Sequence, residues 1–583
     1  MSLNILGIGC YYHDSSAVLM RDGEVVSGAA EERFTRKKHD ISFPKNAIDF
    51  CLQSQDLSME DVDYVAFYEK PVLKFDRFIS QSLDNFPKAA KLFLKNTPSW
   101  FTKKLRLRKK LKKSGYKGEL FFIPHHLSHA ANSFLFSPFN QAAVVNIDGV
   151  GEWATTSYGV GKGKEISLKK EINFPDSLGL LYSTITAYLG FRVNNSEYKV
   201  MGLSPYGEMD RDKNRYYSKL KKVIELNEDG SFEMDMSYFE YHYKERMPSN
   251  KMCKLLEGSV RKFDAELTQR HKDIAAALQM VYEDALFNIL DFVQSETGCK
   301  KLVLGGGNAL NSVANGKILK NTSFDDFWIP PAPGDGGSSM GAAAYTHTAI
   351  LNNDKVKRFK SPFLGPGFTD EEIKNFLDKN NINYKKLKRE EKIEEAAKMI
   401  DKGEVIAWFD GRMEWGPRAL GARSILCDPT NPRMKDILNK KVKHRESFRP
   451  FAPVIPIEDV SEYFELEEPP VPAEYMLGVY QIKEQKREDI PSVVHVDGSG
   501  RLQALRREMN PDYYDLIKKF EEFSETPILI NTSFNIRGEP VVCTPYDGYR
   551  CMMGTGIDSL FMGNFLIRSE DNQRDAWDSS ETV

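Results

Sequence analysis

The chain lacks most of the signatures that commonly declare a secreted domain or a familiar nucleotide fold. Its seven cysteines are scattered through 583 residues with no Cys-x-x-Cys pair, which argues against a disulfide framework and predicts reduced thiols in a cytoplasmic protein. No uninterrupted apolar run is long enough to span a bilayer. The start runs from a short apolar stretch into Tyr11, Tyr12, His13 and Asp14, without the basic opening and longer apolar core of a signal peptide. Neither charge sign dominates: 80 basic and 83 acidic residues give a formal charge of −3, so neither nucleic acid nor a membrane is the default partner. Walker A and Rossmann glycine fingerprints are absent as well. A bound nucleotide would therefore use other loops.

What is present reads as α/β. Ile5–Gly9, Ser16–Met20 and Glu24–Ala29 predict strands, the last two joined by an Arg21-Asp22-Gly23 turn. The same rhythm returns at Ala142–Asp148, Thr155–Val160 and Lys164–Lys169. This echo predicts two related halves closing over a cleft, as in actin-like and sugar-kinase-like folds. Apolar residues at helical spacing from Ile274 to Ile289 predict a core helix. Lys301–Leu304 predicts a strand running into Gly305–Asn311, where bare backbone can approach a ligand and a helix is expected to begin, its N-terminus suited to a phosphate. Pro362, Gly365, Pro366 and Gly367 mark a boundary, giving a large domain at 1–355 and a smaller α/β domain at 362–570. In the second, 370–380 and 391–402 predict helices, and 405–409 and 527–530 strands. A charged, frayed end is expected after Arg568.

Four side chains in three distant motifs form the first candidate site: His125 and His129 in His-His-Leu-Ser-His, Asp148 in Asp-Gly-Val-Gly-Glu, and Asp335 in Pro-Gly-Asp-Gly-Gly. Histidines four apart share one helix face and can grip one cation. Core or capping histidines are the competing reading, but acidic residues in glycine turns after strands are poor core material. His126 occupies the place where a zinc protease needs a glutamate. Two imidazoles and two carboxylates favour Fe²⁺ or Mn²⁺ over a closed structural zinc, with Mg²⁺ also open. His126 is expected as a supporting or substrate contact.

A second cluster is basic. Arg412, Arg418 and Arg423 surround Gly416-Pro417, followed by Lys443, Arg445 and Arg449, then His495, Asp497 and Arg501. Guanidiniums this concentrated would repel unless anions joined them. The residues between them are Trp, Phe, Gly and Pro rather than helix formers, which argues against a solvated helix face. Asn531–Asn535 end an apolar strand in a polar tip, a common place for ligand-binding side chains.

These motifs resemble the O-carbamoyltransferases of the NodU/CmcH family. The likeness rests on His13–Ala17, Asp22-Gly23, Glu31–Phe34, Lys37–His39, His125–Ala130, Asp148-Gly149, Glu197–Leu203, Gly305–Asn311 and Pro333–Gly337, in that order. It implies an actin-like first domain in which His125, His129, Asp148 and Asp335 hold a metal that contacts the nucleotide of a carbamoyl donor. Gly306, Gly307, Asn308, Asn311 and Gly334 would bind that nucleotide. His13 would be the base for an acceptor hydroxyl, and Lys38 would steady the leaving adenylate. The resemblance further implies a second domain similar to the carbamoyl-AMP-forming partner in transfer-RNA threonylcarbamoylation. There Arg418, Arg449, Arg501, Asn531 and Ser533, with Lys443, would bind carbamoyl phosphate and the adenylate formed from ATP.

The expected partner is a small-molecule or sugar hydroxyl acceptor. Homodimerisation is left open, and segments such as Phe232–Asn250 show no readable acceptor preference. Three rivals stand beside this reading: a transfer-RNA carbamoyltransferase, an actin-like sugar kinase or ATPase, and a non-catalytic scaffold. The run from Lys103 to Lys117, with nine basic residues, would serve the first of these if it bound RNA. A solvated face is the plainer expectation for it, and an anionic envelope a further one.

Overall fold

The computed structural model describes residues 2–443, 445–446 and 448–572, so most of the frayed end expected after Arg568 lies outside the described residues. Two compact units emerge. The first comprises Met1–Ser27 and Ile41–Phe359, and the second Gly28–Asp40 and Lys360–Val583.

Unit 1 is built on two five-stranded mixed sheets. The first contains β1 (Asn4–Gly9), β2 (Ser16–Arg21), β3 (Glu24–Ala30), β4 (Tyr64–Phe67) and β5 (Glu119–Phe122), in the order β3-β2-β1-β4-β5. The second contains β6 (Gln141–Ile147), β7 (Ala154–Lys162), β8 (Glu165–Asn173), β9 (Lys301–Gly305) and β10 (Asp326–Trp328), in the order β8-β7-β6-β9-β10. In both, the first strand pairs antiparallel with the second and parallel with the fourth, and the fourth pairs parallel with the fifth. Shared order and polarity make this the duplicated α/β architecture expected of the actin-like class. The apolar repeat from Ile274 lies within α2 (Gln269–Thr297), which follows α1 (His125–Phe134) and precedes α3 (Asp335–Tyr345).

Glycines let α3 press into its neighbours. A methyl group at Gly341 would lie 1.9 Å from the Ser128 carbonyl oxygen of α1, and one at Gly7 of β1 would lie 2.0 Å from that of Ser339. This close packing brings the first residue of α3, Asp335, to the histidine face of α1. Gly341→Ala is therefore expected to cost at least about 1–3 kcal/mol by overpacking, read as a lower denaturant midpoint.

Unit 2 is an eight-stranded sheet with helices on both faces. Its strands are β11 (Ile406–Phe409), β12 (Arg423–Cys427), β13 (Ala452–Pro456), β14 (Gln503–Leu505), β15 (Leu529–Ser533), β16 (Ser559–Met562) and β17 (Phe565–Arg568), beside a two-residue strand at Lys385–Lys386. The order is Lys385–Lys386, β17-β16-β11-β12-β15-β13-β14. Side chains alternate between two cores. Ile406 and Trp408 face α5 (Arg389–Asp401) and α6 (Pro511–Ser524), while Ala407 and Phe409 face α4 (Asp370–Lys379) and α7 (Pro545–Met553).

Segment Gly28–Asp40 differs from the sequence expectation, which puts it with the first domain. Phe34 packs with Met413, Val541 and Cys543. Arg36 donates to the carbonyls of Val541 and Pro540 at 2.7 and 2.8 Å, and Arg33 to that of Gly416 at 3.0 Å.

Candidate active and metal sites

In unit 1 the candidate residues collect where strands end. His13 follows β1, the helix bearing His125 follows β5, Asp148 follows β6, and Gly306 follows β9. Carboxyl ends of parallel strands are where α/β sheets present ligand-binding groups. One ligand atom from each of His125, His129, Asp148 and Asp335 lies within 4.8 Å of the others. The two Nε2 atoms are 3.0 Å apart. His125 Nε2 is 3.1 Å from Asp148 Oδ2 and 3.4 Å from Asp335 Oδ1, and His129 Nε2 is 3.5 Å from that Oδ1. Ligands bonded at about 2.1 Å to one ion sit about 3.0–3.4 Å apart between right-angle and tetrahedral geometry, so these spacings fit a single cation.

The surroundings aim these atoms inward. His129 Nδ1 meets Ser338 Oγ at 3.1 Å, leaving Nε2 to face the cluster. Asp148 Oδ1 accepts the Gly307 amide at 2.9 Å, leaving Oδ2 inward. Asp335 is 2% exposed, yet neither of its oxygens has a hydrogen bond; its neighbours are imidazole nitrogens at 3.4–3.6 Å. A buried carboxylate left so is costly. A cation at the cluster would satisfy it, so the donor set fits a divalent ion.

Electrostatics agree. Burial opposes ionisation of Asp148 and Asp335, but the facing histidines hold both below the ordinary carboxylate range. Burial also opposes charge on His129, which the two carboxylates nonetheless raise to about 9. His126 is different: burial and its two neighbouring imidazoles push it down to about 3, and its Nδ1 bonds Ser157 Oγ at 2.8 Å. It is neutral and lies outside the group of four.

His13 sits beside the cluster with Nε2 3.6 Å from Asp335 Oδ2 and Nδ1 2.9 Å from Asp14 Oδ2. Its loop is strained, with Tyr11 at φ 76° and Asp14 at φ 52°, a conformation that non-glycine residues adopt where the surroundings enforce it, often at functional sites. Burial depresses the imidazole, and Asp335, Asp14 and Asp148 more than reverse this, raising it to about 10.

Three supporting groups escaped the sequence reading. Glu152 accepts the His125 amide at 3.0 Å and that of Lys70 at 2.7 Å, placing a carboxylate on the positive end of α1. Lys74 forms a buried pair with Glu69 at 2.5 Å and lies 4.5 Å from the Tyr12 ring, which packs on His13 at 4.6 Å. The motif Asp-Gly-Val-Gly-Glu carried Glu152 in view; nothing in the sequence ties Lys74 to His13.

The glycine loop after β9 departs from expectation. A short 3-10 turn (Gly307–Leu310) leads to a four-residue helix (Ser312–Asn315), which Asn311 Oδ1 caps at the Ala314 amide at 3.1 Å. Asn311 also exchanges hydrogen bonds with Gln279, so its side chain serves the fold. Gly306 (φ +89°) could carry no side chain, since a methyl would lie 2.3 Å from the Ile147 carbonyl oxygen. The bare backbones of Gly307 and Gly334 face each other, a methyl built on Gly334 lying 3.5 Å from Gly307 Cα. Beside them the buried Asn308 Nδ2 has no hydrogen-bond partner.

In unit 2 the register gathers the second cluster. β12 and β13 both run antiparallel to β15, and β14 runs parallel to β13. The starts of β12, β13 and β14 and the end of β15 thus share one edge of the sheet. Arg418, Arg449 and Arg501 lie within five residues before those starts, and Ser533 closes β15. Lys443, 4% exposed, donates to the Ser533 carbonyl and to Asn535 O and Oδ1, both at 3.0 Å. Burial, then Arg445, Arg449 and Lys38, hold its ammonium well below the usual lysine range. Lys38, which belongs to unit 2, thus contributes to the positive field at Lys443.

Not every basic residue belongs to an anion site. Arg423, wholly buried, donates to the carbonyls of Asp410, Gly411, Ala422 and Pro366 and stacks on Phe409 at 3.6 Å. Arg412 donates to the Gly365 and Leu364 carbonyls. These two clamp backbone, which corrects the expectation that anions join the three arginines. Asn531 Nδ2 bonds the Ala419 carbonyl at 3.1 Å and Gln503 Oε1 at 2.6 Å, so it positions the Arg418 loop. Glu414 Oε1 holds the other side of that loop through the Leu420, Ala422 and Arg423 amides. His495, pushed down to about 4 by burial and by Arg501 and Lys435 against the pull of Asp497, is neutral.

Comparison with known proteins assigns the chain to a family. Residues 4–344 match the family model described as carbamoyltransferase N-terminus, and residues 397–569 the one described as carbamoyltransferase C-terminus. The chain belongs to the carbamoyltransferase family. An uncharacterized protein of Synechocystis is 43% identical over 97% of this chain and 96% of its own length. Nodulation protein NolNO of Sinorhizobium fredii is 34% identical over 97% and 80%, and nodulation protein NolO of Bradyrhizobium diazoefficiens 36% identical over 78% and 80%. The carbamoyltransferase N-terminal match spans His13 and all four cluster residues, and the C-terminal match spans Arg418 through Ser533. Lys38 falls in the N-terminal match by sequence yet packs in unit 2. Among the described residues no helix is long and apolar enough to cross a membrane.

Proposed function

We propose that this carbamoyltransferase forms carbamoyl-AMP from carbamoyl phosphate and ATP in unit 2 and passes the carbamoyl group in unit 1 to a hydroxyl of a small-molecule or sugar acceptor. The observation that carries the reading is the buried, otherwise unsatisfied Asp335 carboxylate facing two histidines and His13.

In unit 2, hydrolysis of carbamoyl phosphate consumes one water and releases phosphate and carbamate. A carbamate oxygen then attacks the α-phosphorus of ATP, and pyrophosphate leaves. Charge in these steps builds on phosphoryl oxygens, where Arg418, Arg449, Arg501 and Lys443 supply preorganised donors. Lys38 belongs to this step on the reading favoured by its neighbourhood with Lys443. Carbamate is short-lived, so capture as the mixed anhydride preserves it.

In unit 1, His125, His129, Asp148 and Asp335 would hold a divalent cation, Fe²⁺ or Mn²⁺ by donor type. Bound there, it supplies Lewis-acid stabilisation to a phosphoryl or carbonyl oxygen. The bare Gly306-Gly307 and Gly334 backbone and Asn308 receive the nucleotide. His13 Nε2 takes the acceptor proton as the oxygen attacks the carbamoyl carbon and AMP departs. Asp335, the carboxylate that raises His13 most, would be engaged by the cation, while Asp14 holds Nδ1 and orients the ring so that Nε2 can take the proton.

The test is an acceptor screen. Protein, ATP, isotopically labelled carbamoyl phosphate and Fe²⁺ or Mn²⁺ are incubated with panels of glycosides and hydroxylated metabolites. ATP-dependent label on an acceptor oxygen is expected; label transferred equally well without ATP contradicts the adenylate route.

A further inference from the structure

Half of the exposed large apolar side chains among the described residues fall in one short stretch, 72–105, on a pair of helices at Pro71–Asp84 and Ala90–Thr102 and the turn beyond them. Val72, Leu83, Phe86 and Leu94 are 69–74% exposed, and Phe101 51%. Aromatic stacking holds the hairpin together, Phe78 on Phe93 at 5.4 Å and Phe75 on Trp100 at 5.2 Å, so these outward residues are not waiting to fold into its own core. Monomeric proteins seldom expose apolar groups so concentrated without a use.

Charge identifies the use. Residues 71–117 contain fourteen Lys and Arg against two Asp, in a chain whose formal charge is −3. Lys103, Arg106, Arg108, Lys109, Lys112 and Lys113 are exposed, and among the described residues none of them makes an ion pair. The short helix Leu107–Lys113 buries Leu107 and Leu111 and turns its basic residues outward.

We propose that this basic, apolar hairpin docks the protein on a bilayer rich in anionic lipid headgroups. Outward Phe and Leu beside a field of Lys and Arg are what an interfacial helix presents to the headgroup and acyl boundary. Nucleic acid would use the charge but leave the aliphatic Val72, Leu83 and Leu94 unexplained. A second copy of this chain would bring two strongly positive hairpins together, which like-charge repulsion opposes. The proposal goes beyond the carbamoyl-transfer reading and does not depend on it.

Flotation of the full chain with phosphatidylcholine vesicles, with and without phosphatidylglycerol, tests it. Binding to anionic vesicles is expected to exceed that to neutral ones by about tenfold or more, and to weaken with salt. The double variant Phe86→Ser/Leu94→Ser is expected to lower it by about tenfold with an unchanged melting temperature, since both side chains are already exposed. The salt and lipid series on the unaltered protein stand whether or not the variant folds. Absence of binding to anionic vesicles overturns the proposal. Undiminished binding by the double variant, or RNA binding in place of vesicle binding, makes the hairpin a purely electrostatic or nucleic-acid surface. A dimer that dissociates in the double variant makes it an interface between copies.

Discussion

Asp335→Asn is expected to lower carbamoyl transfer to the acceptor by about a thousandfold while carbamoyl-phosphate-dependent pyrophosphate release stays near that of the unaltered protein. Lewis-acid stabilisation is worth several kcal/mol, and about 1.4 kcal/mol is a factor of ten in rate, which sets the size. The separation of the two effects follows from the chain's organisation: Asp335 lies in unit 1, and the arginine cluster in unit 2. Stability gives a second readout. Because the facing histidines hold Asp335 below the ordinary carboxylate range, the asparagine variant should be somewhat less stable than the unaltered protein in a chelator near neutral pH. With Fe²⁺ or Mn²⁺ present, the melting temperature should rise only in the unaltered protein, since a ligand stabilises the state that binds it. Equal rises in both would remove Asp335 from the cation site.

The reciprocal result is expected of Arg418→Ala: loss of about 10²–10³ in carbamoyl-phosphate-dependent pyrophosphate release, the cost of removing one preorganised donor to a developing oxyanion. Its loop is held by Asn531, Gln503 and Glu414, so the backbone should survive the truncation. Arg423→Met serves as the contrast. That guanidinium is spent on four carbonyls, so its loss should lower the melting temperature before it changes the KM for carbamoyl phosphate. If Arg418→Ala and Arg423→Met behave alike, the division between ligand-facing and backbone-clamping arginines is wrong.

The sequence made the first site legible because its ligands interrupt apolar strands with groups that cores reject. Asp148 follows β6 directly, and Asp335 opens a helix so rich in small residues that it must pack closely. The echo of strand, polar turn and strand likewise announced the duplicated sheets, since period-2 patterning and turn residues are local signals. Interactions ending on carbonyl oxygens were invisible. Arg412 and Arg423, set among aromatics, look like anion ligands until their acceptors prove to be backbone. The same holds for Arg36, whose bonds to Val541 and Pro540 tie residues 28–40 into unit 2 and carry Lys38 with them. Asn311 resembled a ligand contact because asparagine serves caps and sites equally well.

The most direct test of the central claim needs no knowledge of the acceptor. Purified protein is incubated with ATP and Fe²⁺ or Mn²⁺, with and without carbamoyl phosphate, and pyrophosphate and phosphate are followed together. Two-site carbamoyl transfer predicts pyrophosphate released only when carbamoyl phosphate is present, with stoichiometric phosphate from that substrate. Phosphate released from ATP alone, with no pyrophosphate and no dependence on carbamoyl phosphate, would contradict it and mark the chain as a kinase or ATPase.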